Sequence, residues 1–384
     1  MAVDTTRQIM FTNVRTVRFG TDVLGLAAAD LAAAGSRRIL VVTTPPTRPL
    51  CEALTDALAE AGCGFEIWND LAGEPRIEEL NDAIACARAM RCDGVVGLGG
   101  GSAMDVAKLV AALVDGRQHF DEVAGTDLLA GRTLPLACVP TTAGTGSEVT
   151  PIAIVDDGEL KKGVVSPHLV PDFAFLDPRL TVSMPRAVTA ATGLDALTHC
   201  IEGYANRFAH PYVDGWALEG IALIGAHIER ACADGGDLEA RAAMLRASHL
   251  GGLCLGPVNT GAVHALAYPL GTEFHIPHGV ANSLLLPHVL RFNLEAAPHR
   301  YAEIAGALGV ERTGDDRADA LAGIEEIERL SRAVGIERHL THFGISTNAI
   351  PPMAAAAMTV QRLLMRNPRE VHEEDARSIY EAAL

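Results

Sequence analysis

At 384 residues, with 49% apolar and 21% charged side chains, the chain is long enough for two ordinary domains and too apolar to be disordered. A formal charge of −17, with lysine confined to Lys108, Lys161 and Lys162, argues against a nucleic-acid binder with its clustered basic footprint. No apolar run approaches the roughly 18–20 residues of a membrane span, the opening MAVDTTRQIMFTN carries no signal-peptide pattern, and the eight cysteines form no C-x-x-C pair, so a cytoplasmic protein with free thiols is expected.

Residues 11–22 read as a short edge strand and turn, and Asp22 to Ala34 as an alanine-rich helix ended by Gly35. RILVVT, from Arg38, is a short buried strand closed by the breaker cluster TTPPTRP. A helix over Leu50–Ala61, a strand over Phe65–Asn69, a helix over Ile77–Met90 and a strand over Asp93–Leu98 follow. The glycine run Gly99-Gly100-Gly101-Ser102 then leads into a helix over Ala103–Val114. Pro135–Val139 is a further strand, Ile152–Val155 starts a hairpin through Asp156-Asp157-Gly158, and residues 172–177 close this half as a strand. Strand–helix alternation at this spacing predicts an α/β half, a parallel sheet with crossover helices, over residues 1–184. From Met184-Pro185 the texture changes to helices at 185–206, 211–234, 237–255, 259–270, 280–292, 298–308 and 317–335, predicting an all-helical half over residues 185–384.

Two loops in the α/β half suit a nucleotide. Glycines after the third strand let backbone approach a ligand, and the free N–H groups of the helix start attract a diphosphate. The spacing is neither a full Rossmann fingerprint nor a Walker loop, so a tight structural turn is the other reading. The second loop, Thr141-Thr142-Ala143-Gly144-Thr145-Gly146-Ser147, also follows a strand. In open α/β sheets ligands bind beyond the carboxyl ends of strands; the bland alternative is a solvated turn.

The helical half carries metal-ligand chemistry. Asp195 and His199 are four apart and share one helix face, while His264 and His278 come from a segment in which His264, His275 and His278 lie among glycines and prolines. One carboxylate and three imidazoles suit a borderline cation such as Fe(II) or Zn(II), and oxygen-only ions much less. Thr192-Gly193-Leu194-Asp195 also fits a capping box, Thr192 as N-cap and Asp195 at the third position, which would make Asp195 a cap residue only. Glu202, three past His199, reads either as a partner orienting that ring or as a surface residue. His249, His288 and Cys254 read as ordinary packing.

GGGSAMDVAK, PTTAGTGSEVT, ATGLDALTHCIEGY and HALAYPLGTEFHIPHG together resemble the successive motifs of the iron-containing (group III) alcohol dehydrogenase family, over a likeness running from about residue 10 to the C-terminus. The resemblance implies a dehydroquinate synthase-like architecture: a dinucleotide-binding α/β domain, a helical domain, and a site in the cleft between them. It implies metal ligands at Asp195, His199, His264 and His278, and a diphosphate against Gly100, Gly101 and Ser102. It puts Thr141, Thr142, Thr145 and Ser147 on the ribose and nicotinamide side, with Lys162 reaching the cofactor ribose; Lys108 and Asp105 read as structural. The implied reaction is hydride exchange between C4 of NAD or NADP and a small alcohol or hydroxy acid, or its aldehyde, whose oxygen a divalent metal polarises. A homodimer or larger homo-oligomer is the family's habit.

Two departures from the family pattern stand out. Many relatives place an acid just after the first strand for the adenosine ribose; here Val42-Thr43-Thr44-Pro45 offers Thr44, which leaves NAD and NADP both open. Many also carry a second histidine four past the third ligand, where this chain has Tyr268, a poorer proton shuttle near neutrality. Tyr268 is then expected to position substrate, with His275 or water moving the proton. A metal-free maleylacetate reductase-like enzyme is disfavoured by the intact donor set. A dehydroquinate synthase-like lyase, which wants a basic pocket, is disfavoured by the lack of lysine after residue 162.

Overall fold

The computed structural model describes residues 3–158 and 161–384; the first two residues and the pair following Gly158 in the expected hairpin lie outside it. Contacts divide the chain into two compact units. One holds Thr12–Thr142 and Gly146–Ser183, the other Met1–Phe11, Ala143–Thr145 and Met184–Leu384.

The first unit contains strands β1 (Thr16–Phe19), β2 (Arg38–Val42), β3 (Gly64–Trp68), β4 (Gly94–Gly99), β5 (Gly125–Thr126), β6 (Leu136–Pro140), β7 (Ile152–Asp156), β8 (Lys161–Val165) and β9 (Phe173–Leu176). Its helices are α1 (Ala27–Ala33), α2 (Glu52–Glu60), α3 (Ile77–Ala89), α4 (Gly101–Leu113) and the single turn α5 (Phe120–Val123). Six strands form one parallel sheet in the order β1-β9-β6-β4-β2-β3. Parallel strands are covered on both faces and therefore read as unbroken apolar runs, as RILVV and FAFL do. Along β2, Leu40 and Val42 face a core with α3 and α4, while Ile39 and Val41 face one with α1 and α2. From β2 the chain goes outward to β3 and returns to β4 on the other side of β2. The ends of β2 and β4 therefore flank the switch point at which open α/β sheets bind ligands.

Strands β5, β8 and β7 make a second, small sheet, with β7 and β8 antiparallel as the hairpin expectation requires. The helix expected from Asp22 starts instead as a 3-10 turn over Val23–Leu26, with α1 proper beginning at Ala27.

The second unit is all helix: α6 (Arg186–Tyr204), α7 (Pro211–Ala233), α8 (Leu238–Leu255), α9 (Ala262–Phe274), α10 (His278–Asn293), α11 (Pro298–Ala307), α12 (Asp316–Val334), α13 (Ile350–Ala357), α14 (Gln361–Leu364) and α15 (Glu373–Ala382). The three helices after residue 335 have no counterpart in the sequence expectation. Among the described residues no helix is long and apolar enough to cross a membrane. Helix α6 is buried on nearly all sides, packed by α7, α8 and α10. Such burial is possible because small residues dominate it, among them Ala190, Gly193, Ala196 and Gly203. Gly279 shows how closely α10 approaches: a β-carbon there would lie 2.3 Å from the carbonyl oxygen of Ala191.

Candidate metal centre and nucleotide loops

Asp195 lies in the middle of α6, so the capping-box alternative fails. The helix starts at Arg186 after Pro185, and the Thr192 hydroxyl donates back to the carbonyl of Val188, 2.8 Å away, rather than capping anything. Asp195 and His199 consequently stand one turn apart on the same face. Helix α9 brings His264 beside them, and His278 opens α10. Ligand atoms of Asp195, His199 and His264 lie within 4.8 Å of one another, all buried. Asp195 Oδ1 is 4.0 Å from His199 Nε2, 3.7 Å from His264 Nε2 and 3.7 Å from His278 Nε2. The His199 and His264 rings stack at 4.8 Å, and His278 is tilted 5.3 Å from His264. His278 differs from the other three in being 43% exposed.

The outer ring nitrogens set the tautomers. His199 Nδ1–H donates to the carbonyl of Gly144 at 3.2 Å, and His264 Nδ1–H donates to Glu202 Oε2 at 2.5 Å. With Nδ1 protonated in each, both rings turn an Nε2 lone pair towards Asp195. Gly144 must be glycine to bring its carbonyl there, because a β-carbon would sit 2.7 Å from that of Thr192. Glu202 is buried, and its second oxygen accepts the Val263 N–H at 2.7 Å. It therefore serves His264, not the His199 expected from its spacing, and is no surface residue. Asn282 donates to Asp195 Oδ1 at 2.7 Å and lies 3.1 Å from His278 Nε2.

Charge states follow. Burial alone would raise the Asp195 carboxyl, but the three imidazoles, His199 foremost, and the Asn282 amide outweigh it and hold the acid below the usual carboxylate range. Burial, then the adjacent His199 and His278, keeps the His264 imidazole well below its ordinary range. An ionised carboxylate with a neutral imidazole is the state a metal ligand needs. His264 Nε2 is also buried without any hydrogen-bond partner. Such an orphan is rare in a native interior, and a cation shared with Asp195 would satisfy it. The nitrogen and oxygen donors fit Fe(II) or Zn(II).

Near the same cluster, Tyr268 stands one turn beyond His264 on α9, and its hydroxyl oxygen accepts from Arg362 Nη2 at 2.9 Å. Nothing in the sequence patterns singled out Arg362. His275, by contrast, is exposed and ends α9 in a left-handed conformation with φ 54°. His249 is half-buried, Cys254 is buried with its thiol on the Leu250 carbonyl, and burial pushes the His288 imidazole down to about 4.

In the first unit, β4 runs through Gly99 into α4, whose N-cap is Gly100, with Gly101 and Ser102 in the first turn. This turn therefore lies at the carboxyl end of β4. A β-carbon on Gly100 would touch the Thr142 side chain at 3.6 Å, an ordinary contact that packs this turn against the second loop. Thr141 N donates to the Gly99 carbonyl at 2.9 Å, joining the two loops, and Thr141 Oγ1 is buried without a partner. Thr145 falls in the short stretch grouped with the helical unit. The Ser147 hydroxyl is already engaged, donating to Asp105 at 2.6 Å and accepting from Lys108 at 2.8 Å. Lys108 is fully buried and also donates to Thr150 and to the Ile152 carbonyl, which suits its expected structural role. Lys162 pairs with Asp157. Beyond β2, the hydroxyls of Thr43 and Thr44 each bond that of Thr47.

Comparison with known proteins places these features in context. Residues 15–178 match the family model for iron-containing alcohol dehydrogenase, and residues 189–384 that for the C-terminal part of the Fe-containing alcohol dehydrogenase family. Long-chain-alcohol dehydrogenase 1 of Geobacillus thermodenitrificans is 40% identical over 370 residues, covering 95% of this chain and 94% of the relative. The crystal structure of a 1,3-propanediol oxidoreductase superposes with a TM-score of 0.96 at 34% identity, covering 98% of this chain and 100% of that one. A sulfoacetaldehyde reductase from Bifidobacterium kashiwanohense, solved in complex with NAD+, gives 0.88 at 28% identity, covering 98% and 99%.

Proposed function

The chain belongs to the iron-containing alcohol dehydrogenase family, and from that premise we propose that it is a nicotinamide-dependent alcohol dehydrogenase or aldehyde reductase whose metal is held by Asp195, His199, His264 and His278. The orphaned Nε2 of His264, aimed at an ionised Asp195, is the observation that carries this reading. Bound there, Fe(II) or Zn(II) supplies Lewis-acid polarisation of the substrate oxygen, which favours loss of hydride from the carbinol carbon. The chain's own residues do the rest. Glu202 and the Gly144 carbonyl fix the tautomers of two ligands, and Asn282 orients Asp195. Gly100, Gly101 and Ser102 offer N–H groups to the cofactor diphosphate, while Thr141, Thr142, Thr145, Ser147 and Lys162 serve its ribose and nicotinamide. With a hydroxyl cluster and no carboxylate after β2, NAD and NADP are both accommodated. Tyr268 positions substrate, and His275 or water takes the proton from the alcohol oxygen.

Edge strand β1, with Val17 and Phe19 exposed, supports a homo-oligomer, which light scattering would test. For the activity itself, the experiment is metal analysis together with nicotinamide absorbance, using short diols, hydroxy acids and their aldehydes with each cofactor. His264→Ala should lose metal and turnover together. A variant that lost its metal and kept full turnover would end this reading.

A further inference from the structure

We propose that Arg362 recognises a negatively charged group on the substrate, so that the alcohols and aldehydes this chain turns over carry a carboxylate or sulfonate a few atoms from the reacting carbon. The inference rests on the oxidoreductase reading above.

Helix α14 is a single turn whose Leu363 and Leu364 are buried, which fixes the backbone and leaves Arg362 half-buried. One of its guanidinium N–H groups is spent on the Tyr268 hydroxyl at 2.9 Å. That bond holds the head group at the tip of Tyr268, whose backbone stands one turn beyond His264 on α9. The remaining donors of the fork have no carboxylate: among the described residues none lies within ion-pair distance of Arg362. Most arginines of this chain behave otherwise; Arg300 has Asp214, Arg132 has Asp172 and Arg230 has Asp237.

The surroundings make an unpaired cation costlier still. Arg366 lies one turn further on, with Nε on the Arg362 carbonyl and Nη1 on that of Val258. The Arg362 charge is felt at Arg366. Of the acids here, Asp195 belongs to the donor set and Glu202 is buried and committed to His264 and Val263. Neither Arg362 nor Arg366 has a carboxylate partner among the described residues; their head groups bond only a hydroxyl and backbone carbonyls. A planar fork with free N–H groups matches a carboxylate or sulfonate in particular.

The test uses the full-length enzyme with its metal. Succinic semialdehyde is compared with its methyl ester, which has the same chain with the charge masked. Wild type should prefer the acid in kcat/KM by at least about tenfold, the scale of one charge-assisted contact. Arg362→Gln should erase that preference by lowering kcat/KM for the acid far more than for the ester, and Arg362→Lys should keep part of it. Calorimetry of γ-hydroxybutyrate binding without cofactor should show a matching loss of affinity in Arg362→Gln and a smaller one in Arg362→Lys. A wild-type ratio near one, or a ratio unchanged in Arg362→Gln, overturns the proposal while leaving the dehydrogenase reading intact. If neither aldehyde is reduced, the dehydrogenase reading is left to the wider substrate panel and calorimetry decides the arginine: binding that depends on Arg362 supports the proposal, and binding indifferent to the substitution, or none, overturns it.

Discussion

Replacing Glu202 by glutamine probes the metal centre one step behind the ligands. The carboxylate accepts two buried N–H groups at once, Val263 N at 2.7 Å and His264 Nδ1 at 2.5 Å. Glutamine has one acceptor oxygen and puts an NH2 where the other stood, so one of those donors must face a donor. An unmade buried hydrogen bond of this kind costs about 1–3 kcal/mol. If the oxygen stays with Val263, His264 loses the acceptor that keeps its proton on Nδ1 and its lone pair on Nε2. Loss of such an orienting partner typically lowers metal affinity about 10–100-fold, in line with that hydrogen-bond cost. The assay is metal content of wild type and Glu202→Gln after dialysis against graded chelator, with thermal melting to establish that both are folded. The variant should release metal at about 10–100-fold lower chelator, and excess metal should restore most of its kcat. A variant folded like wild type that held its metal equally well would refute the reasoning, because Glu202 would then not act through His264.

Other substitutions test the packing and the charge states. Gly279→Ala sets a β-carbon 2.3 Å from the Ala191 carbonyl oxygen, so α10 must move away from α6; a loss of about 1–3 kcal/mol by urea unfolding is expected, with weaker metal binding because His278 is the preceding residue. Unchanged stability would mean the helices do not touch there. Lys108→Met removes the donor to Ser147, Thr150 and Ile152 and the cation 3.8 Å from Asp105; the expected loss is about 3–5 kcal/mol, and an unmoved urea midpoint would contradict it. Burial, followed by the nearby Arg291, lowers the His288 imidazole from 6.5 to about 4. The unfolded chain therefore takes up this proton first, and its contribution to stability, full above about 6.5, is lost as pH falls towards about 4. In His288→Leu the decline in unfolding free energy between those limits should be shallower, and an equal slope would count against a buried neutral ring. Burial holds the Cys138 and Cys200 thiols up at about 12, so both should resist thiol reagents in the folded protein at pH values where they react once it is unfolded.

What could be read from the residues follows the range over which each signal acts. The parallel sheet was legible because strands covered on both faces are written locally as apolar runs, as in β2 and β9. Asp195 and His199 were legible as a pair because a four-residue spacing is a geometric statement on any helix. The Thr192 cap misled because a hydroxyl ahead of an acid looks alike at a helix start and in its interior; only the continuation of α6 back to Arg186 decides which. Glu202 was assigned the wrong histidine for a related reason. Its ring partner comes from α9, 62 positions later, and the local periodicity pointed to His199.

The same logic separates reaction from substrate. The ligand-bearing residues ride on long, buried helices, α6 of 19 residues and α9 of 13, whose internal spacing is fixed whatever packs around them. Arg362 rides on α14, four residues long, and nothing within four residues says which way it faces. Its direction is set by two leucines in the core and by a tyrosine 94 positions earlier. A metal must be gripped by a rigid set of donors, so its signature is confined to short spacings and can be seen in the sequence. A substrate's charged end needs only one well-placed cation, which any nearby element can supply. For that reason the class of chemistry is written in motifs while the substrate is written in tertiary contacts, and the Arg362–Tyr268 bond is where this chain would make its choice.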